Sequence, residues 1–70
     1  MLTIDLAGPQ GNAFALMGLV KQLGKQLHID KDKIDTIIED MMSGDYNHLL
    51  EVFQENFGHV VELINLPDEA

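Results

Sequence analysis

The chain has 70 residues, 46% of them apolar, and sets twelve acids against four lysines for a formal net charge of -8, with no arginine, cysteine or tryptophan. That length allows one small domain, which buries only about 60% of the surface its unfolded chain exposes, and without cysteine it excludes disulfides and thiolate zinc sites. The acidity excludes a basic face for the phosphate backbone of nucleic acids, so stability must come from packing or self-association and function from something other than nucleic-acid binding.

Residues 2–6 alternate, with Leu2, Ile4 and Leu6 on one face, and predict a short half-buried strand. Residues 7–12 are turn formers. From Ala13 the pattern becomes helical: Leu16, Leu19, Val20, Leu23 and Leu27 form one apolar stripe. Asn12 is placed to cap this first helix. Lys21 and Lys25 lie one turn apart on the opposite side, in the later part of the helix where its dipole favours cations. Gly18 and Gly24 each cost roughly 1 kcal/mol relative to alanine in a helix, so each is expected to mark a close approach.

A link at His28–Ile29 leads to a second helix, capped by Asp30 and buried through Ile34, Ile37, Ile38 and Met41. Asp32, Asp35 and Glu39 take its wet side. Ser43 and Gly44 stop it, and Asp45 caps a third helix whose stripe is Tyr46, Leu49, Leu50, Phe53 and Phe57. Gly58 is expected in a left-handed C-terminal cap. Met17, Met41 and Met42 read as adaptable core fillers, and His48 and His59 as surface residues. Residues 59–64 form a closing strand in which Val60 and Ile64 point one way and Val61 and Leu63 the other, so both faces seek burial. The tail, 66–70, is expected to fray. The fold class is therefore α+β: a single β-α-α-α-β domain over residues 1–70, with two short strands packed on three helices. Neither strand carries a lysine or proline to block edge pairing, and a homo-oligomer is expected.

The segment between the first strand and the first helix, Gly8, Pro9, Gln10, Gly11, Asn12, Ala13 and Phe14, is the leading candidate for a ligand loop. Glycines admit close backbone approach, and the first amides of a helix favour an anion. It lacks the glycine-lysine-serine/threonine ending of a Walker loop and the GxGxxG dinucleotide pattern. A tight connector capped by Asn12 is the plainer reading. Phe14 could stack on a base and Lys21 meet a phosphate, with Asp5 accepting from a ligand hydroxyl or filling the polar half of the strand. His28, His48 and His59 are too scattered for a metal site, and neither metal nor cofactor is expected. No cysteine nucleophile exists, and Thr3, Thr36 and Ser43 have no neighbouring base in sequence, so the chain reads as a non-enzyme.

The strand followed by GPxGNAF at residues 8–14, then Met42-Ser43-Gly44-Asp45-Tyr46, His48-Leu49-Leu50 and Phe57-Gly58, resembles a group of very short phage and prophage proteins over nearly the whole chain. The resemblance implies an accessory factor that counters host defence: a sponge that sequesters a nucleotide-derived immune signal, or a small inhibitor of a host protein. The leading expectation is a non-enzymatic protein that binds a small anionic nucleotide-like ligand through Gly8–Phe14 and Lys21. The alternative is an acidic, DNA-mimic-like inhibitor of a host enzyme that uses Asp32, Asp35, Glu39, Glu51 and Glu55. No apolar run approaches the roughly 18 residues of a membrane span. The first residues also lack a signal-peptide pattern, so the cytoplasm is the expected compartment.

Overall fold

The computed structural model describes residues 2–66, apart from the side chain of Gln10, so the expected fraying of 67–70 lies outside the described residues. Strand β1, Leu2–Asp5, leads through a 3-10 turn at Pro9–Gly11 into helix α1, Ala13–Gln26. Helices α2, Lys31–Met42, and α3, Tyr46–Phe57, follow, and strand β2, Val61–Ile64, closes the chain. The expected β-α-α-α-β order holds. The two strands pair in parallel, Leu2 opposite Val61 and Asp5 opposite Ile64, with all three helices lying in sequence between them.

The core is built by α3, which buries Leu49, Leu50, Val52, Phe53 and Phe57. Phe53 and Phe57 are fully enclosed and pack ring to ring at 5.6 Å and 43°, the tilted geometry that aromatic quadrupoles favour. Leu16, Val20 and Leu23 of α1 and Ile34, Ile37 and Met41 of α2 close over it, while Ile4 and Val61 seal the sheet side. Gly24 meets its expectation: a Cβ there would lie 2.4 Å from Ile34 Cδ1, so α1 and α2 touch at this point because the side chain is missing.

Asn12 and Asp45 cap as expected, their side-chain oxygens accepting from the amides of Ala15 and His48. Asp30 occupies the N-cap position of α2 but its side chain makes no capping hydrogen bond. His28 sits at φ 58°, and the amides of His28 and Ile29 return to the carbonyls of Lys25 and Gly24. This is a Schellman ending of α1 with histidine in the left-handed position that glycine usually fills.

Several expectations are corrected. Gly58 is right-handed, at φ -60° and ψ -20°. The chain keeps turning there, with Gly58 N–H donating to Gln54 O and Val60 N–H to Phe57 O, and this aims β2 back along β1. The closing ladder therefore begins at Val61 instead of His59, and the first strand ends at Asp5, although Leu6 N–H still reaches Ile64 O. Met42 is 59% exposed, one position off the α2 stripe that buries Met41. Leu27 is 40% exposed, because the Schellman turn swings the end of α1 off the core. Ile64, on the face opposite Ile4 and Val61, is exposed, so only one face of the sheet is covered well, and Leu2 at the end of that covered face is exposed too. No helix of the described residues is long and apolar enough to cross a membrane.

Candidate functional site

The glycine segment is used by its own chain. Ala7 N–H donates to the Asp5 carboxylate at 2.9 Å, Gly8 N–H to Asp5 O at 3.1 Å, and Gly11 N–H to Gly8 O at 3.1 Å. Asn12 spends its side chain locally: Oδ1 accepts from Ala15 N–H at 2.8 Å and Nδ2 donates to Pro9 O at 2.9 Å. Gly11 is a glycine because a Cβ there would lie 2.1 Å from Leu6 O, a contact with backbone that cannot move aside. Its carbonyl accepts from the Tyr46 hydroxyl. The connector reading thus accounts for Gly8, Gly11 and Asn12 without a ligand.

The other expected contacts do not converge on that segment. Phe14 is 83% exposed. Lys21 lies two turns further along α1, about 10 Å of helix rise away, so the two do not form one platform. Asp5 is tied by Ala7 N–H and by Asn65 Nδ2 at 2.9 Å. The Asn65 amide, and then the Ala7 amide, hold its carboxyl below the usual aspartate value. Asn65 stands at φ 55°, a left-handed position asparagine tolerates, and joins the end of β2 to the end of β1.

A different arrangement gathers the cations. Lys21 and Lys25 from α1 and Lys31 from the first turn of α2, three of the chain's four lysines, line one groove with Ile29, Ile34 and Asp35. Its volume is about 390 Å³, within the roughly 300–1,000 Å³ of small-molecule pockets. Ile29 and Ile34 supply its apolar surface. Among the described residues none of these lysines is ion-paired. Lys31 opposes the dipole at the start of α2, an arrangement that favours the helix less than an acid would. The Asp30 side chain leaves the nearby helix amides uncapped. Only Lys21 of this set belongs to the expected ligand residues; Lys25 was visible as its neighbour, one turn on.

His48, expected to face solvent, is half-buried and folds back on the end of α2. Its Nε2 lies 3.0 Å from both Oδ1 and the backbone O of Asp40 and 3.2 Å from Ser43 Oγ. The Asp40 carboxylate raises the His48 pKa above 6.5 against the opposing effect of desolvation, with smaller contributions from the Asp40 carbonyl and from Glu51. Gly44 makes room, since a Cβ there would stand 2.9 Å from the His48 side chain. Serine, histidine and aspartate here serve a helix end: Ser43 Oγ donates to Asp40 O at 2.7 Å. Among the described residues no polar or charged side chain is buried. No family model, curated protein or solved structure matches the chain.

Proposed function

We propose that the protein is a non-enzymatic binder of a small anionic, nucleotide-like ligand, held in the Lys21–Lys25–Lys31 groove and not on the glycine segment. One observation carries this reading. A chain of net charge -8 brings three of its four lysines, none of them in an ion pair among the described residues, to a single groove with apolar walls. Elsewhere on so acidic a surface an anion would be repelled, so local attraction must come from this cluster. Lysine ammoniums would meet the phosphates, Ile29 and Ile34 would cover a base, and the Asp35 carboxylate would accept from a sugar hydroxyl. Binding without turnover fits sequestration of a nucleotide-derived signal, the role that the phage-protein resemblance implies. Calorimetry and thermal shift with cyclic dinucleotides, ADP-ribose and pyrophosphate test it. Binding of a nucleotide, weakened at least tenfold in Lys25→Gln and Lys31→Gln, is the expected result. No binding by any of them, or binding indifferent to both substitutions, overturns it.

The inhibitor reading rests on a separate observation. Asp32, Asp35 and Glu39 of α2 and Glu51 and Glu55 of α3 are all exposed, and among the described residues none of them is in an ion pair. Such a surface fits a basic groove on another protein, with affinity that falls as salt rises. A host protein captured at low salt and released at high salt would favour that reading over ligand binding.

A further inference from the structure

We infer that the free edge of β1 and the flank of α1 beside it form a two-fold interface with a second copy of this chain. This goes beyond the ligand reading, which rests on the lysine groove between α1 and α2.

A groove of about 580 Å³ runs between β1 and α1, lined by Leu2, Ile4, Ala15, Gly18, Leu19 and Gln22. It continues past Leu19 and Gln22 into a second of about 550 Å³ that reaches Leu27 and His59. Apart from His59, no lining residue of either carries an ionisable group. This selects the occupant. Two copies of a chain with net charge -8 repel wherever their acids meet, so they dock where no acid lines the surface, as in both grooves. A basic partner would instead be drawn to the acids of α2 and α3.

The backbone agrees with a second copy. Leu2 and Leu6 donate their amides to Val60 O, just before β2, and to Ile64 O at its end. Strand alternation then turns the N–H and C=O of Thr3 away from β2, unguarded by proline or lysine. Antiparallel pairing of two β1 strands centred on Thr3 satisfies these groups in both copies and makes a four-stranded sheet. The same two-fold brings the α1 helices together beside Leu2 and Ile4, which flank Thr3 and share the first groove with Gly18.

Gly18 has no reason within one copy: nothing lies within 4 Å of where its Cβ would stand, and its φ is not left-handed. The expected close approach at this glycine is therefore absent inside the chain. In a helix crossing at Gly18, with Ala15 beside it, the missing side chains let the two backbones come close. An antiparallel crossing there sets Phe14, four residues before Gly18, beside Gln22 of the second copy, four residues after. That covers a ring now 83% exposed.

Sedimentation equilibrium at about 10–200 μM, the usual range for a modest dimer, decides the matter. The wild type is expected at twice its 7.8 kDa chain mass. Gly18→Glu fills open space in the single chain and adds like charge at the axis. It should sediment as a monomer with an unchanged helical circular dichroism spectrum. Phe14→Asp, at a side chain already in solvent, should weaken association at least tenfold. A wild type that is monomeric throughout overturns the inference, as does dimerisation unaffected by both substitutions. Lys31→Gln, on α2 and outside both grooves, should leave the dimer intact, so loss of ligand binding and loss of dimer are read separately.

Discussion

Tyr46 donates its phenolic proton to the carbonyl of Gly11, a residue 35 positions earlier in the chain. The bond joins the first turn of α3 to the 3-10 turn that launches α1, and desolvation at this half-buried position raises the tyrosine pKa. Removing the hydroxyl leaves the Gly11 carbonyl without this partner while keeping the ring. Tyr46→Phe should lower unfolding free energy by about 1 kcal/mol, the net worth of one such hydrogen bond. Urea denaturation reads this as a lower midpoint at unchanged m-value. An unchanged midpoint would show that water replaces the contact.

Gly11 tolerates no side chain, because the Leu6 carbonyl occupies the Cβ position. Gly11→Ala must displace backbone at the junction of β1 and the 3-10 turn. A cost of about 3 kcal/mol is expected, the upper end for overpacking a rigid site. Gly8→Ala is the control, since its Cβ would stand 3.5 Å from Asp5 O, an ordinary contact. Comparable melting temperatures for the two variants would refute this account of the segment.

His28 holds the left-handed position at the end of α1, φ 58°, with its side chain exposed. Glycine reaches that conformation without the Cβ clash that penalises other residues by roughly 1 kcal/mol or more. His28→Gly should therefore stabilise the fold by about 0.5–1 kcal/mol, since the greater freedom of unfolded glycine offsets part of the gain. Thermal melts would show the rise; a fall would mean that the His28 side chain holds the α1–α2 turn.

What could be read from the sequence, and what could not, divides by distance along the chain. Three- and four-residue spacing located all three helices, and short-range chemistry identified Asn12 and Asp45 as caps, because a helix start is decided within four residues. Gly24 stood out as a cost inside a helix, and its reason, Ile34, lies one turn into the next helix. The same logic applied to Gly18 found no neighbour, since intrinsic cost marks a position without saying what fills it. The glycine segment has the composition of an anion loop, and only the fold shows that the Gly8 and Gly11 amides are held by the carbonyls of Asp5 and Gly8. The lysine groove is not legible in the sequence, because Lys31 joins Lys21 and Lys25 only where the Schellman turn at His28 folds α2 back along α1. Gly58 followed the usual statistics of helix ends, yet β2 had to return parallel to β1, and continued right-handed turning achieves that.

The His48–Asp40 contact makes stability depend on pH. Asp40 Oδ1, its backbone carbonyl and Ser43 Oγ surround Nε2, and Glu51 on α3 adds a further negative charge, so the imidazolium is favoured in the folded state. The folded pKa thus lies above the ordinary 6.5. A raised histidine pKa contributes stability that is fully present below the unfolded value and is lost as pH climbs through the folded one. The favourable placement of a cation at the C-terminal end of α2 acts in the same direction. His48→Gln should therefore lower the melting temperature at about pH 5.5, below the ordinary histidine value, where the imidazole is charged. The gap from wild type should shrink as pH climbs above the folded histidine value and the imidazole loses its charge. Asp40→Asn should flatten the same profile, because it removes the largest cause of the shift. Equal gaps at low and high pH, or a larger one under alkaline conditions, would show that His48 acts through packing alone.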